Sequence, residues 1–164
     1  MNIVKHRQKV KFPLRQVSLC FLLKNDEVLL ALKKRGFGEG KINGVGGKML
    51  EGETIEQTVI REIREEIDVI PKIFNKIASI NFYFRNQPDW DQEVVVFLIT
   101  SWDGNPKESE EVKPDWYKLK NIPYEHMWED DIHWLPYALN GKPFKAEFLF
   151  DKNQKMIDKL LEFI

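Results

Sequence analysis

The chain has 164 residues, 43% of them hydrophobic, and a formal net charge of −1, which bounds it to one globular domain able to bury about 70% of its unfolded-state surface. So balanced a charge offers no broad basic field to a nucleic-acid duplex, and an anionic ligand must be held by local groups. Apolar runs such as VVVFLI (94–99) fall far short of the roughly 20 residues that span a bilayer, and the single cysteine excludes an internal disulfide and suits a reducing, cytoplasmic compartment.

Residues 1–15 (MNIVKHRQKVKFPLR) are basic but lack the apolar stretch of a secretory signal, and they are expected as a short solvated arm ahead of a domain over 16–164. Residues 16–23 and 27–32 read as two strands joined in a hairpin by the turn-like Lys24-Asn25-Asp26, with Cys20 packed in the apolar run VSLCFLL. A long glycine-containing loop follows. Residues 54–67 carry Ile55, Val59, Ile63 and Ile67 at four-residue intervals, an amphipathic helix with its apolar stripe toward a core, and Pro71 is placed to help stop it. Strands are expected over 77–85 and 93–100, the second rich in valine, with a polar loop at 86–90 between them. The turn signal Asp103 to Lys107 (DGNPK) precedes a short strand near 116–119. Residues 131–139 and 152–163 read as helices, the last from Met156, Leu160 and Ile164 at four-residue spacing. Strands and helices mixed in this order predict an α/β sandwich.

One stretch carries more chemistry than the rest. After Gly47 come Glu53, Arg61, Glu62, Glu65 and Glu66, a pattern that a chain this long would match by chance on the order of 10^-5 times. At about 100° per residue, Glu62, Glu65 and Glu66 share one sector beside the apolar stripe. Carboxylates converging there suit a hard divalent cation such as Mg²⁺, which takes oxygen from carboxylates, water and substrate phosphates and polarises a phosphoryl oxygen. The bland alternative is a solvated helix face with Arg61 and Glu65 as an i,i+4 pair. Other phosphate-loop readings of the glycines between Gly36 and Gly47 fail on spacing. Met49 stands where a Walker loop needs Ser or Thr, and Lys41 where a dinucleotide fingerprint from Gly36 needs glycine. No zinc-protease helix or nucleophile elbow occurs, so the three histidines are expected to be structural or exposed.

The stretch GKMLEGETIEQTVIREIREEIDV (47–69) resembles the signature of the Nudix hydrolases: a glycine, five residues, Glu, seven residues, Arg-Glu, an aliphatic, any residue, Glu-Glu, any residue, Gly, an aliphatic. Asp68 stands where the family has glycine. Asp tolerates left-handed backbone better than most residues, so a slightly destabilised helix cap and intact chemistry are expected. Residues 32–48 (LKKRGFGEGKINGVGGK), 110–117 (EEVKPDWY) and 126–136 (HMWEDDIHWLP) extend the likeness to the branch that hydrolyses oxidised purine nucleoside triphosphates, the MutT-type sanitisers of the nucleotide pool.

That resemblance implies a Nudix-type α/β/α sandwich with a mixed sheet between helices, the signature forming a loop, a helix and a second loop. It implies that Glu62, Glu65 and Glu66, with the backbone carbonyl of Gly46, hold Mg²⁺ (or Mn²⁺ in its place). It further implies that Glu111 reaches the metals or the attacking water, with Glu110 as its nearest rival, and that Glu53 orients Arg61 by a bidentate pairing. Gly46, Gly47, Ser18, Lys33 and Lys48 match positions near the substrate, and Phe37 walls the pocket. Trp128 matches a purine-stacking position, against a plain buried tryptophan. Asn43, Asp130 and Asp131 match residues that read the purine's edge, against a helix N-cap for the acidic pair. Two close carboxyls in an apolar pocket can share a proton, one donating and the other accepting, and exchanging it would accommodate both oxidised guanine and oxidised adenine. Ile42 departs from the tryptophan that the branch carries before the asparagine. The activity implied is Mg²⁺-dependent hydrolysis of a purine nucleoside triphosphate to monophosphate and pyrophosphate by a monomer. The alternatives are another nucleotide diphosphate linkage within the same chemistry, or a nucleotide-binding module without turnover.

Overall fold

A computed structural model describes residues 2–164. Its elements run α1 (Ile3–Arg7), β1 (Arg15–Lys24), β2 (Glu27–Lys33), β3 (Ile42–Asn43), α2 (Ile55–Ile67), β4 (Ile70–Phe84), β5 (Gln92–Asp103), β6 (Val112–Lys118), α3 (Asp131–Leu139), β7 (Phe144–Phe150) and β8 (Met156–Phe163), with short 3-10 turns between some of them. The strands form one mixed sheet in the order β3-β2-β1-β5-β4-β7-β8, with β6 paired to β2. The pairs β1/β5 and β4/β7 are parallel, and β4/β5 and β7/β8 antiparallel.

Alternation along the central strands sets the layers. Val94 and Val96 of β5 join Ala78, Ile80, Phe144 and Phe148 in a core closed by Trp134, Leu135 and Ala138 of α3. Val95, Phe97 and Ile99 point the other way, onto Cys20, Leu22 and the Val59, Ile63 and Ile67 stripe of α2. A helix on each face of a mixed sheet is the α/β/α sandwich expected.

The edge of β1 positions the loop before α2. β1 pairs with β2 only at Leu23↔Val28 and Lys24↔Glu27, after which β2 swings out to pair with β6. The vacated edge is taken by residues 45–48: Cys20 N–H donates to the Val45 carbonyl at 2.6 Å and Ser18 N–H to the Gly47 carbonyl at 2.8 Å. Glycine is needed for this approach, since a Cβ on Gly46 would stand 2.0 Å from the Ser18 carbonyl oxygen.

Local chemistry fixes both ends of α2. Thr54 accepts from the Gln57 N–H at 3.1 Å while the Gln57 side chain accepts from the Thr54 N–H at 2.8 Å, a reciprocal cap. At the other end Asp68 takes left-handed backbone (φ 58, ψ 43), its N–H bonded to the Arg64 carbonyl, as expected where the Nudix signature has glycine. The left-handed Asp68, not Pro71, stops the helix, and Pro71 lies inside β4.

Two further expectations change. Residues 152–163 are not a helix: a turn leads into β8, which pairs antiparallel with β7. Asp151 nucleates that turn by accepting from the Asn153 and Lys155 N–H groups at 2.8 and 3.0 Å. Nor is the start of the chain a solvated arm, because Ile3 is 1% exposed and packs with Tyr83 and Leu149.

Candidate functional site

Between the loop at 45–48, α2 and the start of α3 lies a cleft of about 600 Å³. It gathers Ser18, Lys33, Phe37, Asn43, Gly46, Gly47, Lys48, Glu62, Glu65, Glu66, Glu111, Trp128, Asp130 and Asp131. Glu53, Arg61 and Glu110 do not line it.

The acidic part is built on the loop–helix junction. Glu53 and Arg61 form the bidentate pair expected, Nε to Oε2 at 3.0 Å and Nη2 to Oε1 at 2.7 Å. Arg61 also donates to the Lys48 carbonyl at 3.0 Å and to Glu62 Oε1 at 2.7 Å, so one guanidinium ties loop, helix and cleft wall together. The hydrogen bond from Arg61, helped by the Leu50 N–H, holds the Glu53 carboxyl down at about 2. The bland i,i+4 pair is present too, Arg61 to Glu65 at 3.6 Å, but weak, with the Glu65 side chain 60% exposed.

Glu66 differs from its neighbours. It is 5% exposed, its Oε1 accepts from the Gly46 N–H at 2.8 Å, and burial pushes its carboxyl up to about 7. Glu62 sits so close under the loop that a Cβ on Gly47 would stand 2.4 Å from its carboxyl carbon. Among the described residues no three acidic, histidine or cysteine side chains already form a metal cage. The sequence led us to expect the three glutamates to converge; instead they share a wall, with Glu62 turned to Arg61 and Glu66 to Gly46. The donor set along that wall is oxygen only, and a buried carboxyl kept near neutrality is one that a cation would ionise, so these residues fit a hard divalent ion. Glu111 lines the cleft with Oε1 bonded by Arg35 at 2.9 and 2.5 Å and Oε2 3.6 Å from Lys33. The Arg35 guanidinium holds it below its ordinary value. Its rival Glu110 is 87% exposed at the side chain.

The other part of the cleft is aromatic. Trp128 stacks on Phe37 at 5.3 Å and 20°, and Lys41 places its ammonium 4.9 Å above the Trp128 ring. Asp130 and Asp131 are 3% and 2% exposed. Asp130 occupies the N-cap position of α3 without capping it; its Oδ2 instead accepts from the Trp134 indole N–H at 2.7 Å. Asp131 accepts from the Trp128 N–H at 3.2 Å. Burial raises both carboxyls, and for Asp131 burial, then the charge of Asp130, holds it well above the ordinary range. Two buried neighbouring carboxyls raised in this way have the chemistry to hold one proton between them. Ser18 bonds the backbone of Gly47 through its hydroxyl at 3.2 Å, and Asn43 accepts from the Gly44 N–H at 2.8 Å, leaving its amide N–H₂ for the cleft.

Residues 13–138 match the model of the NUDIX domain. The chain belongs to the Nudix family. Among its Nudix relatives are proteins named oxidized purine nucleoside triphosphate hydrolase from Danio rerio, 38% identical over 92% of this chain and 96% of that protein, and from Mus musculus, 39% identical over 87% and 91%. The crystal structure of a MutT protein from Bacillus halodurans superposes with a TM-score of 0.81, at 25% identity over 91% of this chain and 98% of that one.

Several residues of this Nudix cleft escaped sequence reasoning. Trp134 lines it and was legible in principle, one helical turn from Asp130. Phe82, Phe84 and Phe150 also line it, and alternation in their strands was the available signal. Trp90 packs edge-on against both Phe37 and Phe84 at 5.7 and 5.6 Å, and in the sequence it looked like part of a polar loop.

Proposed function

We propose that this Nudix hydrolase cleaves oxidised purine nucleoside triphosphates, such as 8-oxo-dGTP or 2-oxo-dATP, to the monophosphate and pyrophosphate, and so removes them from the nucleotide pool. The observation that carries the reading is that one cleft joins an oxygen-rich acidic wall to an aromatic pocket holding a buried aspartate pair. A triphosphate needs the first and a purine the second. Both features lie on a chain whose relatives over nearly its whole length carry that activity in their names.

Glu62, Glu65 and Glu66, with the Gly46 carbonyl, are the residues that would hold Mg²⁺, or Mn²⁺ in its place. When bound, the ion supplies charge neutralisation on the phosphoryl oxygens and a more acidic water. Glu111 reaches into the same space to orient the attacking water, and Lys33 and Lys48 offset phosphate charge. Arg61 and Glu53 fix the loop against the helix and so set the reach of Glu62. Trp128 stacks on the base, a contact worth about 1 to 3 kcal/mol in nucleic-acid binders, with Phe37 walling the same pocket. Asp130, Asp131 and Asn43 read its edge; the protonated member of the pair donates and the ionised one accepts. Ser18 keeps Gly47 in place. We take the chain to work as a monomer in the cytoplasm, without binding duplex nucleic acid or membrane. Among the described residues no helix is long and apolar enough to cross a membrane.

Pyrophosphate release measured with Mg²⁺ across 8-oxo-dGTP, 2-oxo-dATP, O6-methylated and unmodified purine triphosphates tests this. Oxidised purines should lead in kcat/KM by at least about tenfold, the discrimination expected from one buried polar contact. Equal turnover of all four would reassign the substrate, and no turnover of any would leave another nucleotide diphosphate linkage or a binding module.

A further inference from the structure

We propose that residues 3–14 brace the aromatic floor of the cleft from the opposite face of the sheet, acting through Tyr83 and Leu149 as positioning residues. The inference deepens the purine reading above and rests on it. Helix α1 begins ahead of the family match, which starts at residue 13, yet it is built into the sheet. Ile3 is 1% exposed against Tyr83 and Leu149, each 0% exposed, with Val10 and Leu14 around them. The Ile3 N–H donates to Asp158 Oδ2 of β8 at 2.7 Å. Arg7 donates to Glu147 of β7 through Nε at 2.7 Å and through a second nitrogen. The Tyr83 hydroxyl donates to the same carboxylate at 2.7 Å.

What lies on the other face makes this more than an anchor. Tyr83 sits between Phe82 and Phe84, and Leu149 between Phe148 and Phe150, in parallel register: Phe82↔Phe148, Tyr83↔Leu149, Phe84↔Phe150. Alternation sends each flanking phenylalanine to the cleft side. There the rings form a train: Phe82 on Phe148 at 5.7 Å, Phe84 on Phe150 at 5.4 Å, Phe84 to Trp90 at 5.6 Å, Trp90 to Phe37 at 5.7 Å and Phe37 to Trp128 at 5.3 Å. The residues that clamp α1 thus alternate with phenylalanines of the cleft side, of which Phe82, Phe84 and Phe150 line the cleft and Phe148 packs beneath Phe82. Close-packed interiors transmit displacement, so the seat of Ile3 and Arg7 sets the height of β4 and β7 under the purine.

The test uses the full chain with Ile3→Asp and, as the milder change, Arg7→Ala. Both should raise KM for 8-oxo-dGTP, about tenfold for Ile3→Asp, while kcat stays within about twofold, the signature of lost uniform binding. Ile3→Leu should restore KM. The Trp90 indole resonance in NMR spectra without nucleotide should shift in the two disruptive variants. Folded variants with a parental KM and an unmoved Trp90 signal would overturn the proposal, even where the melting temperature has dropped, because the segment would then be a stabiliser only. If Ile3→Asp does not fold, Arg7→Ala decides alone. Should the parent chain hydrolyse no oxidised purine triphosphate, it is the substrate reading that fails, and the Trp90 signal still decides whether α1 reaches the cleft.

Discussion

Trp134 donates its indole N–H to Asp130 at 2.7 Å, across one turn of α3. That bond favours the ionised form of Asp130 against the burial that raises its carboxyl, so a proton held by the pair favours Asp131, whose carboxyl is raised further. Trp134→Phe keeps most of the packing but removes the donor, so Asp130 then competes for the proton. Because a hydrogen bond to a charged group contributes about 1.5 to 3 kcal/mol, the ratio of kcat/KM for 8-oxo-dGTP over 2-oxo-dATP should change by about tenfold or more. Steady-state rates on both substrates measure it, and an unchanged ratio would confine Trp134 to packing.

Glu66 makes a pH prediction with a definite sign. Its carboxyl is raised from 4.5 to about 7 by burial, so the fold favours the protonated form. Its contribution to stability is fully present below pH 4.5 and is lost as pH rises through about 7. Glu66→Gln lacks that dependence. Between pH 4 and pH 8 the metal-free variant should gain on the parent by on the order of 3 kcal/mol in denaturant unfolding, while losing at least about 100-fold in kcat. Adding Mg²⁺ should stabilise the parent and not the variant.

Arg61→Lys should behave as a drastic change. A lysine cannot reproduce the fork that joins Glu53, Lys48 and Glu62, and Glu62 would lose its orientation. We expect kcat to fall about 10- to 100-fold with KM changed far less, as for loss of positioning. Equal losses in kcat for Arg61→Lys and a remote surface control would rule this out.

At Asp68, replacement by glycine relieves left-handed backbone on a residue with a Cβ. The ion pair it gives up, to Lys107 at 3.5 Å, joins two exposed side chains and contributes little. Asp68→Gly should raise stability by about 0.5 to 1 kcal/mol, visible as a higher melting temperature with kcat/KM unaltered.

What the sequence reveals depends on how local the deciding interaction is. Helix α2 was legible because its stripe, reciprocal cap and terminator all lie within 54–68. The first half of β4 was not, since register shifts between Pro71 and Ile73, Ile73 and Phe74, and Lys76 and Ala78 break its alternation. β8 has one neighbour and an irregular burial pattern, so Met156, Leu160 and Ile164 mimicked a helical stripe. Helix α1 is basic and short; only its distant partners Tyr83, Glu147 and Asp158 make it structure. The same holds within the cleft: the signature glutamates were readable from spacing, whereas Lys41 over Trp128 and Trp90 against Phe37 depend on loops meeting in space.

Cys20 is wholly enclosed, and burial, then the charges of Glu66 and Glu62, push its thiol far above the ordinary range. With no other sulfhydryl in the chain, the native protein is silent to alkylating reagents until β1 and the floor of the acidic wall part together. Its labelling rate is therefore an internal clock for opening of that layer. A cysteine introduced at an exposed site could carry a dye or spin label with no competing background.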